Sequence, residues 1–541
     1  MRRLRDRLHE LLQRRAWLVA GLGGLLLLLL AFGERLGGEF VWDDVPLVLE
    51  NPSLTAPGGL ARVLLGDLWG SAGQASTQLY HPLPMLTFWV EAHTHGLQLG
   101  ALRFVNVLLH GGCALLFFAL LERLRVGVTA ALLTTALFLV HPLVTEPVMW
   151  LTGRHDTVAA LAALAALLVF PRPSSPSAMW RACASGVLCA GAFASKEPYV
   201  VAPALVALLS LVEHVPATRV ARLAALWLPS FLGTLSVVAL RALLHIPTGS
   251  QQLGAPLLTL AQGYASIVWH YLVLGLTLDQ GATIAMYRPL AGHADVLVWL
   301  GLLGALAALL ALLARVRARP VSVHARTAAF GYAWFLGSLS PHVLSLPLLG
   351  LWGNRYGYFP LLGLLLLLAA GIAALQARPF VLARRVLPLL LGACAALALV
   401  QTHAAAALWH DDLTLYAASV VADPTDGRAL YHYAHAVRKR EGCQAAVPLL
   451  ERATKLDPTY ARAQRNLAGC LLDLGQPKLA VAPARLAARL EPTVAAHHYN
   501  LGAALVLSGD RDRGVLELRR ALQLNPTHAP ARKLLTQLNA R

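Results

Sequence analysis

Stretches of about 18 or more apolar residues recur from Ala16 to about residue 406 and then stop. This most constrains the fold. Once such a segment leaves water, only a helix satisfies its backbone hydrogen bonds internally. The expected class is therefore all-α, a polytopic membrane helix bundle with about eleven spans. Composition agrees: 57% of the 541 residues are hydrophobic and 13% charged, where soluble domains carry about 25% charged residues. The formal net charge of +17 reflects arginines flanking the apolar runs, as membrane topology demands. No basic stripe with interleaved aromatics is present, so nucleic acid is not an expected partner.

Six arginines between Arg2 and Arg15 make 1–15 a cytoplasmic basic N-terminus, followed by an uncleaved signal-anchor. The first outer loop, 33–100, is too long for a mere connector, and its Leu60–Trp69 segment has the pattern of an amphipathic surface helix. Further spans are expected near 101–121, 126–141, 154–170, 181–195, 198–213, 223–243, 294–314, 326–341, 354–375 and 386–406. Pro171 to Pro176 with Arg181, Arg219 with Arg222, and Arg378 with Arg384 and Arg385 mark cytoplasmic loops. Arg315, Arg317, Arg319 and Arg326 mark another, which an even number of crossings must separate from Arg219 and Arg222. The apolar segment 263–278 is therefore expected to be re-entrant or to lie in the outer leaflet. The membrane domain covers 16–406, and a connecting helix 407–426 leads outside.

Beyond Trp409 the chain becomes soluble in character. Asp423-Pro424-Thr425, Asp457-Pro458-Thr459, Glu491-Pro492-Thr493 and Asn525-Pro526-Thr527 recur every 34 residues, the tetratricopeptide period. The expectation is an α-solenoid over 427–541, with repeats at 427–460, 461–494 and 495–528 and a capping helix at 529–541. No single repeat can bury its apolar face alone. Cys443 and Cys470 either pair or stay free; the other cysteines sit in apolar spans, and no metal-type Cys/His spacing occurs.

On this topology the polar residues converge on the outer face. Asp43, Asp44 and His81 lie in the first outer loop; His141, Glu146, Arg154 and Asp156 bracket the second. Lys196 and Glu197 form the third, and Arg355 and Tyr356 open a late span. Snorkelling residues would appear at both faces, so one-sided clustering points to an outward-facing active site. Asp43 and Asp44 are the candidate catalytic pair for inverting sugar transfer, one carboxylate as base and the other orienting, with Asp43 preferred. His81, His141, Glu146, Arg154, Asp156, Lys196, Glu197, Arg355 and Tyr356 are candidate substrate-binding residues. No acidic residue lies between Val296 and His410. Arg355 must therefore find its counter-charge in the N-terminal half or in an anionic ligand, and a lipid-linked phosphate suits a guanidinium fork and a lysine. Simpler readings stand beside these: a Lys196–Glu197 hairpin ion pair, an Arg154–Asp156 pair, histidines 81 and 141 as caps before proline, and Asn106 with His110 packing along one helix. No metal-ligand set is evident, although two adjacent acids leave a divalent cation open.

The segments FVWDD…N (40–51), YHPLPMLTF (80–88), RFVNVLLH (103–110), HPLVTEPVMWLTGRHD (141–156), SKEP (195–198) and NRYGYFPLLG (354–363), followed by repeats, resemble the transmembrane and tetratricopeptide repeat-containing O-mannosyltransferase family and its bacterial relatives, of the GT-C superfamily. The resemblance implies a polyprenyl-phosphate sugar donor, inversion at the anomeric carbon, an acidic site on the first outer loop, and the pocket residues above. His81 stands where relatives commonly have Arg, and Asn354 where they commonly have Glu. The expected function is an inverting glycosyltransferase of the inner (plasma) membrane, N-terminus cytoplasmic and repeats outside. It would move a sugar, with mannose the candidate, to a hydroxyl of a protein or glycan while the repeats bind the acceptor or a partner. The alternative is a non-catalytic membrane-anchored repeat scaffold. A transporter, which would carry mid-span charges, fits less well.

Overall fold

The computed structural model describes residues 15–72, 79–171, 178–213, 220–246, 257–278, 322–343, 353–378 and 385–539. Several expectations fall outside them: the basic N-terminus up to residue 14, the breaker 172–177, the span 294–314, and the basic residues Arg219, Arg315, Arg317, Arg319 and Arg384. Every regular element described is helical. The described chain divides into two units, the second beginning at Asp411.

Among the described residues of the first unit, five helices are long and apolar enough to cross a membrane: Arg15–Arg35, Leu99–Arg123, Ala224–Leu243, Asn354–Gln376 and Leu387–His410. A sixth is the pair Val128–Val140 and Pro142–Met149, bent by 51°. The bend falls at His141, whose extended backbone (φ −71°, ψ 131°) is what a residue before proline adopts. Arg154–Val169, Ala178–Ser195, Glu197–Val212 and Val323–Leu339 complete the bundle. Residues 263–277 of that segment belong to one unbroken helix, Leu257–Thr277, and Leu278 follows it at φ 54°.

Small residues set the closest packing. A Cβ on Gly331 would lie 2.7 Å from the Gly363 carbonyl oxygen, so Val323–Leu339 and Tyr358–Gln376 meet backbone to backbone, as membrane helices do when van der Waals contact drives association. Arg123 forms two 2.7 Å bonds to Glu213 and donates to the Leu167 and Phe170 carbonyls. It thereby closes the C-terminus of Arg154–Val169.

The second unit stacks the helix pairs Gly427–Glu441 with Cys443–Leu456, Ala461–Asp473 with Pro477–Leu490, and Ala495–Ser508 with Arg511–Leu524, followed by Ala529–Asn539. Helix Asp412–Ala422 precedes them. Alanines at the crossings (434, 446, 453, 468, 480, 484, 504) are buried with Leu430, Leu450 and Leu471. The recurring Asp-Pro-Thr has a local cause. Asp423 accepts from both the backbone N–H and the hydroxyl of Thr425, and Asp457 and Asn525 do the same for Thr459 and Thr527. This is an Asx turn. At the third position Glu491 is one methylene longer and bonds His497 at 2.8 Å instead.

Cys443 and Cys470 are disulfide-bonded, joining the first repeat to the second across 27 residues. In the chain-entropy description a loop of that size stabilises by about 3 to 4 kcal/mol. Reduction should therefore lower the thermal midpoint of the repeat unit, read by circular dichroism of the full chain with and without reductant. An unchanged midpoint would show that the bond does not constrain the fold.

Candidate active site

The first loop is a packed structure. Leu47, Val48, Leu54, Val63, Leu68, Met85 and Phe88 form one core with Leu102 and Leu151. The expected surface helix at Leu60–Trp69 is two short helices, Gly59–Leu65 and Leu68–Ser71. The chain breaks at Gly66–Asp67, where Asp67 accepts the Gly70 N–H at 2.9 Å and caps the second. Val63 and Leu68 turn into the core.

Trp42 sits at φ 52°, a left-handed conformation that bulky residues rarely adopt. Strain of this kind costs about 1 to 3 kcal/mol and persists where surrounding contacts impose it. Here the contact is an indole stack on Trp150 at 4.8 Å. The two acids beyond it part company. Asp44 is fully buried, and its carboxylate accepts the Leu151 and Thr152 N–H groups at 3.3 and 3.1 Å. Burial pushes its carboxyl up to about 7, against the opposing pull of those N–H groups and of Arg103. Asp43 remains half-buried.

The second loop is stapled from within by helix Leu99–Arg123. Arg103, fully buried, donates to the carbonyls of Met149, Gly37 and Trp409. Asn106 donates to Val148 and Trp150 carbonyls at 3.2 Å and accepts from Arg154 Nε at 2.6 Å. His110 bonds the Tyr358 hydroxyl at 2.8 Å, so Asn106 and His110 bind other elements rather than each other.

This scaffold holds a charged cluster. Arg355 pairs with Glu146 at 2.5 Å, and its backbone N–H donates to the same carboxylate at 3.0 Å. The Arg355 guanidinium lies 5.5 Å from the Trp42 ring, 5.1 Å from Trp150 and 4.6 Å from Tyr356. Lys196 pairs with Asp156 at 2.5 Å and lies 5.2 Å from the Tyr356 ring. Beside them, His81 bonds Glu197 at 2.6 Å, Arg241 holds the other Glu197 oxygen at 3.1 Å, and the His81 and His155 rings are 4.8 Å apart. The structure thus joins Trp42, next to the acids, with Glu146, Asp156, Lys196, Arg355 and Tyr356, while His81 and Glu197 adjoin. Lys196 and Glu197 do not pair with each other, and Arg154 does not pair with Asp156. Arg154 is fully buried against Glu91, Asn106 and the Leu102 carbonyl, with Phe88 at 4.0 Å. These bonds tie it to the first loop and to helix Leu99–Arg123. His141 accepts from its own Leu143 N–H at 3.2 Å, the cap geometry.

The counter-charge of Arg355 is Glu146, 209 residues away in sequence. Glu91, Arg103, His155 and Arg241 escaped the sequence reading. For Glu91 and Arg103 the available signal was charge inside an otherwise apolar run. Among the described residues no group of three His, Cys, Asp or Glu side chains is placed to hold a metal ion.

No family model matches the chain. It is 30% identical over 158 residues to protein O-mannosyl-transferase F38B6.6 of Caenorhabditis elegans, 28% of this chain and 23% of that protein. It is 35% identical over 148 residues to protein O-mannosyl-transferase TMTC1 of Homo sapiens, 26% of this chain and 17% of that protein. The chain thus spans about a fifth of the length of the curated relatives it matches. Among solved structures, YrrB, a TPR protein with an unusual peptide-binding site, is 21% identical over 28% of this chain and 78% of its own, with a TM-score of 0.22. The repeat assignment rests on the helix pairs and the 34-residue period. Over about a quarter of its length, this chain is homologous to the protein O-mannosyl-transferases of the TMTC family.

Proposed function

We propose that this chain is a membrane-embedded inverting glycosyltransferase of GT-C type, moving a sugar, mannose by homology, from a polyprenyl-phosphate donor to a hydroxyl of a protein on the outer face of the inner membrane. The carrying observation is the cluster in which two cations, each neutralised by one carboxylate, stand among Trp42, Trp150 and Tyr356, with Asp43 next in the chain after Trp42. Aromatic faces suit the C–H surface of a sugar ring. Arg355 and Lys196 suit a phosphate leaving group, the first as a fork and the second as a point charge. Asp43 is the base: both Asp44 oxygens are taken by backbone N–H groups, which makes Asp44 the residue that holds the loop. In this reading Asp43 takes the proton of the acceptor hydroxyl. The oxygen then attacks the anomeric carbon as the phosphate leaves from the opposite face. The same reading puts the N-terminus in the cytoplasm, about eleven spans in the membrane, and the repeats outside, holding acceptor or partner.

The test is transfer by the purified chain from mannosyl-phosphate polyprenol to a Ser/Thr peptide, with nucleotide-sugar donors in parallel. The expected product is an O-linked sugar of inverted configuration from the lipid donor only. Transfer from the nucleotide sugar alone would overturn the donor assignment. Inactivity with every donor, alongside partner capture by the repeats, would favour the scaffold.

A further inference from the structure

We propose that the outer face of the second helices of the repeat unit, centred on helix Pro477–Leu490, rests on an anionic membrane surface. Its cations would meet lipid phosphates and its exposed leucines the headgroup boundary. Such an anchorage is separate from sugar transfer and does not depend on it.

Helix Pro477–Leu490 is apolar where it packs and apolar again where it does not. Ala480, Ala484, Ala487 and Ala488 are buried. Leu479, Pro483 and Leu486, at i, i+4 and i+7, form a separate row that is only partly covered, and Leu479 is 62% exposed. Lys478, Arg485 and Arg489, at i, i+7 and i+11, form a second row, all three exposed, and Ala482 is exposed between the rows. The helix holds no acidic residue. A helix whose outer side met only water would be polar there. One period later Leu516 takes the register of Ala482 and Arg519 that of Arg485. Leu516 is 63% exposed, on a face with exposed Arg513, Arg519 and Arg520. Lys478, Arg485, Arg489 and Arg519 form no ion pair among the described residues. Glu517, beside Leu516 in the chain, is taken by His498 at 2.7 Å. Together the three second helices carry nine Lys and Arg against three acids. An apolar stripe rimmed by cations marks an interaction surface. Here the chemistry is that of the membrane boundary, where Lys and Arg reach phosphates and apolar side chains sink about 5 to 10 Å. The order of the chain supplies the bilayer. The repeat unit begins at Asp411, directly after the apolar helix Leu387–His410, and a tether that short makes weak surface contacts effective.

The experiment uses the full chain in large nanodiscs of phosphatidylcholine, with or without phosphatidylglycerol. Cys183→Ser/Cys394→Ser removes the exposed free thiols, and a nitroxide is attached at Leu479→Cys or Leu516→Cys, with Arg462→Cys on a first helix as the control. Collision rates with oxygen and with a nickel chelate report depth in lipid. With phosphatidylglycerol the ratio of oxygen to nickel collisions should rise severalfold at 479 and 516 and stay aqueous at 462, and the rise should shrink as salt increases. Lys478→Gln/Arg485→Gln/Arg489→Gln should return both labels to water with the thermal midpoint unchanged. Equal ratios in the two lipids would overturn the proposal, as would a rise that survives in the triple variant. Labels shielded from both quenchers, with spin–spin broadening, would overturn it in favour of a second copy of this chain on that face.

Discussion

Asp43→Asn is expected to lower the proposed sugar transfer by about 100- to 10,000-fold, the range for loss of a positioned general base, and to leave the folding stability within about 0.5 kcal/mol of wild type. The amide keeps the carboxylate's shape and loses its basicity, and Asp43 is half-buried beside the strained Trp42. Asp44→Asn behaves differently, because the Leu151 and Thr152 N–H groups need acceptors and an amide that satisfies both must turn its own NH₂ into a buried site. Its signature is in stability against pH. The Asp44 carboxyl is raised from 3.8 to about 7 in the fold, so the folded chain holds a proton that the unfolded chain has released. Its contribution is complete below about pH 4 and is lost as pH rises through 7, a span of about 4 kcal/mol to order of magnitude. Asn removes that slope. Thermal denaturation in detergent between pH 4 and 8 checks it. An unchanged slope in Asp44→Asn, or full activity in Asp43→Asn, would reverse the assignment of the two acids.

The second large effect belongs to Arg355 and Glu146. Arg355→Met strands Glu146, 3% exposed, in a protein interior. Breaking one side of a buried pair costs about 3 to 5 kcal/mol, most of it the penalty of the orphaned charge. The double variant Arg355→Met/Glu146→Gln removes the charge with its partner, so it should recover most of the lost stability. It should not recover transfer, since the cation that the proposed reaction sets against the donor phosphate is gone. Unfolding midpoints and transfer rates measured on the same three preparations separate the two roles. Recovery of both together would make the pair purely structural; recovery of neither would indicate that the aromatic walls collapse without the guanidinium.

Local physics explains what was legible from sequence. Helix-length apolar runs and the 34-residue period are properties of consecutive residues, and so is the Asp-Pro-Thr turn, in which a side chain bonds a group two positions ahead. Hence the all-helical class, the break at His141-Pro142 and the paired repeat helices could be read before any coordinates. So could the gathering of Glu146, Asp156, Lys196 and Arg355, because their positions at span ends follow from topology. Partner choice was not legible. Lys196 and Glu197 are adjacent in the chain, yet each faces a different element and finds Asp156 and Arg241. Arg154 and Asp156, two apart on a helix, point to different sides by the helical period. They meet Glu91 and Lys196.

Asp43 and Asp44 show the division most clearly. The order of residues alone puts two acids after the first apolar run, on a loop too long to be a connector. It could not rank them, since neighbours in sequence have the same composition around them. Packing separates them: Asp44 turns inward onto the Leu151 and Thr152 N–H groups while Asp43 stays half-buried. Burial and hydrogen-bond partners here come from elements 107 and 108 residues away in the chain, and which elements meet is set by how helices pack.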